Sequence, residues 1–147
     1  MLFALKQAMD TQKVKFAQLL IWVKNQPVIG RLDYLPMHEL IAYGWYGRHK
    51  FHKSKDKSVL FYPKPQKSKY HPTTKPLGLI RNIILNSTQI NEVVCDPFLG
   101  SGTTLLACEQ TKRKCIGFEI DPEYCQLIVN RWQKINGGKA EIIKEGI

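Results

Sequence analysis

The chain has 147 residues, 44% of them hydrophobic, and a formal net charge of +10. That length fits one compact domain, residues 1–147, and the composition is too apolar for a disordered chain. No stretch reaches the roughly 18 apolar residues of a membrane span, and residues 1–15 carry scattered lysines instead of a signal layout, so a cytoplasmic chain without a membrane partner is expected.

Taken in chain order, residues 2–9 have helical spacing, with Leu2, Leu5 and Met9 on one face. Residues 16–23 (FAQLLIWV) form a continuous apolar run and read as a buried strand. Pro27, Gly30 and Pro36 mark a loop over residues 25–36. Residues 38–45 (HELIAYGW) and 58–62 (SVLFY) read as two more strands, separated by a basic segment. Between Arg48 and Lys75 there are nine Lys or Arg residues against one acid, Asp56. Interleaved aromatics (Phe51, Phe61, Tyr62, Tyr70) and nearby histidines (His38, His49, His52, His71) favour a polyanion partner over a merely solvated face. Residues 63–76, with four prolines and four lysines, read as an extended loop.

The second half is more regular. Pro76 suits a first helical position, and the helix it opens runs to about Asn86, with Leu77, Ile80, Ile83 and Ile84 facing a core. Residues 92–95 then read as a strand, 102–111 as a helix, 114–119 as a strand, 122–135 as a helix closed by Gly137 and Gly138, and 140–144 as a third strand. Such alternation implies an α/β fold with a parallel sheet and right-handed crossovers. The four cysteines (Cys95, Cys108, Cys115, Cys125) show neither a CxxC pair nor zinc spacing to a histidine, so buried free thiols are expected and no metal.

The sharpest motif is DPFLGSGTT, residues 96–104, between a strand and a helix. Gly100 and Gly102 allow a tight turn, and the helix that follows aims unsatisfied N–H groups at the same space. The next strand ends in Glu119, whose carboxylate can accept hydrogen bonds from a ribose diol. Leu105 stands where a dinucleotide fingerprint needs its third glycine, which argues against a nicotinamide cofactor. Asp96 at the start of the loop would repel a pyrophosphate and suits an ammonium or sulfonium group. Together these residues favour S-adenosylmethionine.

DPFLGSGTT followed by GFEID (residues 117–121) resembles the cofactor loop and ribose-binding strand of the DNA adenine and cytosine amino-methyltransferases. HPTTKPLGLI (residues 71–80) looks like the segment that closes over the cofactor's methionine moiety in that family, and its place before the loop is similar to the permuted branch in which the catalytic half comes first. WVKNQ, HELIAYGW and the basic stretch resemble their counterparts in phage and restriction-modification enzymes, so the resemblance covers about residues 16–132. It implies a Rossmann-like methyltransferase sheet, mostly parallel with an antiparallel strand. Residues 16–62 would supply strands of the target-side half, 48–70 a basic loop region, and 71–147 the cofactor-binding half.

Carried over, the resemblance places Asp96 near the methionine ammonium and Pro97, Phe98, Gly100 and Gly102 along the cofactor. Thr103, Thr74 and Lys75 would meet the methionine carboxylate, and Glu119 the ribose. Arg48, Lys50, Lys53, Lys55 and Lys57 would track phosphates of double-stranded DNA. The family's (Asp/Asn/Ser)-Pro-Pro-aromatic tetrapeptide is not in the chain, so no catalytic residue is assigned. In the permuted order it belongs on a strand upstream of residue 2. The expectation is a partial methyltransferase, a remnant or a half completed by a second chain. A free-standing cofactor- or DNA-binding module and an RNA or protein methyltransferase are the alternatives.

Overall fold

A computed structural model describes residues 2–52, 56–65 and 74–143 and divides the chain into two units, Met1–Lys64 and Pro65–Ile147. The first contains α1 (Leu2–Thr11), β1 (Val14–Val23), β2 (His38–Tyr46) and β3 (Val59–Phe61). β1 and β2 pair antiparallel along their whole length, from Val14 opposite Tyr46 to Val23 opposite His38, with a register shift between Phe16 and Gln18. β3 joins the other edge of β1 in parallel over three residues, giving the order β2-β1-β3. All four expected elements form. The run at 16–23 is less buried than its composition suggested, since Trp22 alone among those residues is fully buried.

Trp22 is the centre of this unit. It pairs with buried Leu60, and its indole N–H donates to the Tyr62 carbonyl at 2.8 Å. Lys24, also buried, meets Glu39 at 2.8 Å and lies 5.2 Å from the Trp22 ring, so its charge is compensated twice over. A Cβ on Gly44 would fall 2.3 Å from the Lys15 carbonyl oxygen and 2.6 Å from the Met9 side chain, so α1 can cross β2 only where a glycine stands.

The second unit contains α2 (Leu77–Ser87), β4 (Val93–Asp96), α3 (Thr103–Thr111), β5 (Lys114–Gly117) and α4 (Pro122–Asn136). Pro76, extended at ψ 129, stands at the N-cap of α2, one residue before the first helical position expected for it, and Asp121 caps α4 by accepting from the Glu123 N–H at 2.8 Å. Gly137, left-handed at φ 73, closes α4. The core joins Ile84, Ala107 and Cys108 to Leu77, Ile80, Val94 and Cys115. Helix phase differs slightly from expectation, because Leu79 is the most deeply buried residue of α2. Arg113 ties the helix ends together: its guanidinium donates to the Thr88 hydroxyl and carbonyl and to the Thr111 carbonyl, which no N–H of α2 or α3 reaches.

β4 and β5 pair in parallel, joined by α3. The third strand expected at 140–144 does not form over residues 140–143, which take no regular structure, and Lys144 lies outside the described residues. The strands fall in two sheets, the three-stranded β2-β1-β3 and the two-stranded β4-β5. The thiols are all free, but only Cys108 is buried; Cys115 is half-buried, and Cys95 and Cys125 are exposed, against expectation. Register explains Cys95. It pairs with Ile116, 51% exposed, on the sheet face opposite the Val94–Cys115 core pair. Burial pushes the Cys115 thiol up to about 12, with neighbouring Cys108 adding to the effect, and burial likewise raises Cys108. No helix among the described residues is long and apolar enough to cross a membrane.

Candidate cofactor site

The loop between β4 and α3 is fastened at both ends by Asp96. One carboxylate oxygen accepts from the Phe98 N–H at 3.0 Å, and the other from the Thr104 hydroxyl at 2.6 Å. The middle of the loop is held by the two residues that follow β5, which ends at Gly117 and not at 119 as expected. The Phe118 carbonyl accepts from Leu99 N–H at 2.9 Å, and Glu119 accepts from Gly100 N–H at 2.7 Å and from Asp121 N–H at 3.0 Å. Gly100 has φ 55 and Gly102 φ 79, a region L side chains avoid.

Gly102 has a second constraint. A Cβ there would sit 3.0 Å from the Ile128 side chain, so α4 packs directly on the loop. Arg131, one turn further along α4, donates to the Ser101 carbonyl. On the other side the Thr74 and Ser101 hydroxyls are 3.3 Å apart, joining the segment before α2 to the loop.

These contacts frame a cavity of about 450 Å³, within the range of small-ligand sites. Seven of the nine expected cofactor residues line it: Thr74, Lys75, Asp96, Phe98, Gly100, Thr103 and Glu119. Pro97 and Gly102 do not. Gly102 is buried beneath Ile128, and its task is to let the helix approach. Ile80, Leu99, Ser101 and Thr104 also line the cavity and were not singled out from the sequence. Ile80 was expected to face the core, and it does both.

The polar character of the cavity is divided. Asp96 and Glu119 supply carboxylates, whereas Lys75 and the N-terminus of α3 favour negative charge. Thr103, at the first position of α3, is buried, and its hydroxyl oxygen has no hydrogen-bond partner among the described residues. An orphaned hydroxyl lining a cavity is a position at which a ligand would complete the hydrogen bonding. The amide of Gly100 and the hydroxyl of Thr104 are already engaged by the two acids, so the loop is shaped in advance of any ligand.

Of the residues expected to meet nucleic acid, Arg48 and Lys50 lie exposed just after β2, and Lys57 lies exposed before β3. Lys53 and Lys55 lie outside the described residues, as does His71.

Residues 2–130 match the family model described as DNA methylase. Among similar curated proteins, the Type II methyltransferase M2.MboI of Moraxella bovis is 48% identical over 65 residues, 44% of this chain and 24% of the relative. The DNA adenine methyltransferase YhdJ of Escherichia coli (strain K12) is 44% identical over 71 residues, 48% of this chain and 24% of the relative. The chain spans about a quarter of the length of each of these relatives. The solved M1.HpyAVI–SAM complex is 31% identical with a TM-score of 0.77, over 88% of this chain and 68% of that one. The cytosine-N4-specific PvuII DNA methyltransferase, 20% identical, shares the fold with a TM-score of 0.76 over 89% of this chain and 56% of that one.

Proposed function

The chain belongs to the N6/N4 DNA methylase family, and from that premise we propose that it is the cofactor-binding part of an S-adenosylmethionine-dependent DNA methyltransferase acting on an exocyclic amino group of adenine or cytosine. The observation that carries this reading is the cavity itself, where the orphaned Thr103 hydroxyl, Lys75 and the α3 N-terminus face the same space as two carboxylates. That division of charge fits a zwitterionic amino acid carrying a ribose.

In this reading Asp96 faces the ammonium group, while Thr103, Thr74 and Lys75 receive the carboxylate. Glu119 spends one lone pair of each oxygen on backbone N–H groups and keeps capacity for the ribose hydroxyls. Phe98 and Gly100 line the remaining wall. The cofactor supplies an electrophilic methyl on sulfur, and this chain's residues hold it in place and exclude water around it. Arg48, Lys50 and Lys57, with Lys53 and Lys55 from the same basic stretch, contact phosphates of duplex DNA.

The amino group of a base is a poor nucleophile because its lone pair is delocalised into the ring. The family's Asp/Asn/Ser-Pro-Pro-aromatic sequence accepts hydrogen bonds from that group after the base is extruded, and these 147 residues do not contain it. The proposal therefore includes a further segment or chain, outside these residues, that carries it.

The test has two arms. Calorimetry on the purified chain is expected to show binding of S-adenosylmethionine and none of NAD. Labelled methyl transfer to unmethylated genomic DNA is expected only after a chain bearing the tetrapeptide is added. Failure to bind S-adenosylmethionine overturns the cofactor reading, and incorporation by the chain alone overturns the reading that the tetrapeptide comes from outside these residues.

A further inference from the structure

Beyond the phosphate contacts proposed above, the far end of β2 carries an arrangement that phosphate binding does not need. Tyr43 and Trp45 point to one face of the sheet, two residues apart. The chain turns back at Gly47, left-handed at φ 66, and lays the His49 ring on the Trp45 ring at 4.0 Å between centroids and 15° between planes. The Tyr43 hydroxyl is 3.3 Å from the His49 Nε2, fixing the imidazole in its plane. Phe51, 38% exposed, stands 6.4 Å from His49 with its ring tilted by 53°. Lys15, the cross-strand partner of Trp45, places its ammonium 5.0 Å from the indole centroid.

His49 is exposed, and Trp45 covers one face of its ring. Exposed Arg48 and Lys50 flank it in sequence, and exposed Lys15 lies over the Trp45 ring from the paired strand. Ordering aromatic rings into a stack on the surface costs side-chain entropy without filling a core. A flat π-surface bordered by three cations is the combination that holds unpaired nucleotides, with the bases stacking and the phosphates paired.

Resting on the DNA reading above, the geometry points to the Trp45–His49 stack as a platform for one unpaired nucleobase of the bound strand, with Lys15, Arg48 and Lys50 on the adjoining phosphates. The base continues the stack on the face of His49 turned away from Trp45. None of these residues lines the cofactor cavity. It recognises a π-face and a polyanion, and so selects unstacked over paired DNA without reading sequence.

The experiment compares a short oligothymidylate with an abasic oligomer of the same length and phosphate count. The chain is expected to bind the oligothymidylate about fivefold to tenfold more tightly, the effect of one stacked base. His49→Ala, at an exposed position, is expected to remove that preference and leave abasic affinity within about twofold. Trp45→Phe, which keeps an aromatic beneath the histidine, is expected to retain part of it. Unchanged S-adenosylmethionine affinity in both variants reports an intact second unit, and unchanged far-ultraviolet circular dichroism an intact first one. Equal affinity of the wild type for the two oligomers, or a full preference kept by His49→Ala, overturns the platform. Steep salt-dependent binding of duplex DNA alongside equal affinities sinks the platform alone. Binding of neither oligomer nor duplex at low salt removes the DNA reading and the platform together.

Discussion

The Glu119 carboxylate accepts a hydrogen bond from the Gly100 amide at 2.7 Å, across a sequence separation of 19 residues. The acid two residues beyond β5 therefore shapes the glycine loop as well as facing the cavity. Glu119→Gln keeps one carbonyl acceptor and removes the charge. It is expected to weaken S-adenosylmethionine binding about tenfold or more with a small effect on stability. Glu119→Ala, which leaves the Gly100 and Asp121 amides without their acceptor, should also cost about 1–3 kcal/mol in urea unfolding. Equal stability of the two variants would show that the loop holds its shape without the acid.

Thr103 separates binding from folding more cleanly. Its hydroxyl has no partner among the described residues, so Thr103→Val removes a buried polar atom at nearly constant volume. Stability is expected to stay the same or rise slightly, while calorimetry shows affinity for S-adenosylmethionine falling by about tenfold. A drop in thermal stability with unchanged affinity would assign the hydroxyl a structural role.

Gly102→Ala meets two obstacles, a positive φ and the Ile128 side chain at 3.0 Å. A destabilisation of about 2 kcal/mol is expected from strain and crowding together. Ile128→Val in the same chain should recover part of that loss in a double-mutant cycle. Strict additivity would mean that the backbone conformation accounts for the whole effect.

The Cys115 thiol, raised by burial to about 12, holds its proton in the folded unit at pH values where the unfolded chain has lost it. The stabilisation is complete below the ordinary thiol value of 9.0 and is lost as pH rises from there toward about 12. Urea midpoints should therefore fall more steeply between pH 9 and pH 10.5 for the wild type than for Cys115→Val (about 1.4 kcal/mol per pH unit at the upper limit). Alkylation at pH 8 should label exposed Cys95 and Cys125 and spare Cys108 and Cys115 until the chain unfolds.

Duplex binding should weaken linearly in log–log form with salt, and each lost phosphate contact should reduce the slope by about 0.9. Arg48→Ala, Lys50→Ala and Lys57→Ala are expected to do so one step at a time in fluorescence anisotropy titrations. A slope insensitive to all three would move the phosphate contacts elsewhere.

Much of this arrangement was legible in the residues because local chemistry specified it. Asp96, the two glycines and Glu119 are each of a type that a turn, a helix N-terminus and a ribose require, and their spacing set a strand–helix–strand unit. What stayed hidden depended on neighbours. Residues 140–143 have strand composition, but a strand exists only where another edge accepts its hydrogen bonds. Cys95 sits in an apolar run, and such a run implies burial only when both faces of the sheet are covered; here its face lies beside exposed Val93 and Ile116. Ser101 and Thr104 carry no signal of their own. Their importance comes from Thr74 and Asp96, which reach them across 27 and 8 residues. Gly102 was expected at the ligand, yet Ile128, distant in sequence, decides its role.

Gly117 draws a further consequence for how such a chain can change length. A Cβ at this position would lie 2.5 Å from the Leu99 side chain, so the loop rests on the one residue of β5 that has nothing to obstruct it. Shifting β5 by a single position would put Ile116 or Phe118 under Leu99. The exposed turn at Lys112, left-handed at φ 58, looks like a harmless place for an insertion. An added residue there would nevertheless be felt at Leu99 and Gly100. The spacing between α3 and β5 is thus a ruler for the cofactor loop, and natural or engineered length variation should be tolerated beyond Gly137 long before it is tolerated at Lys112.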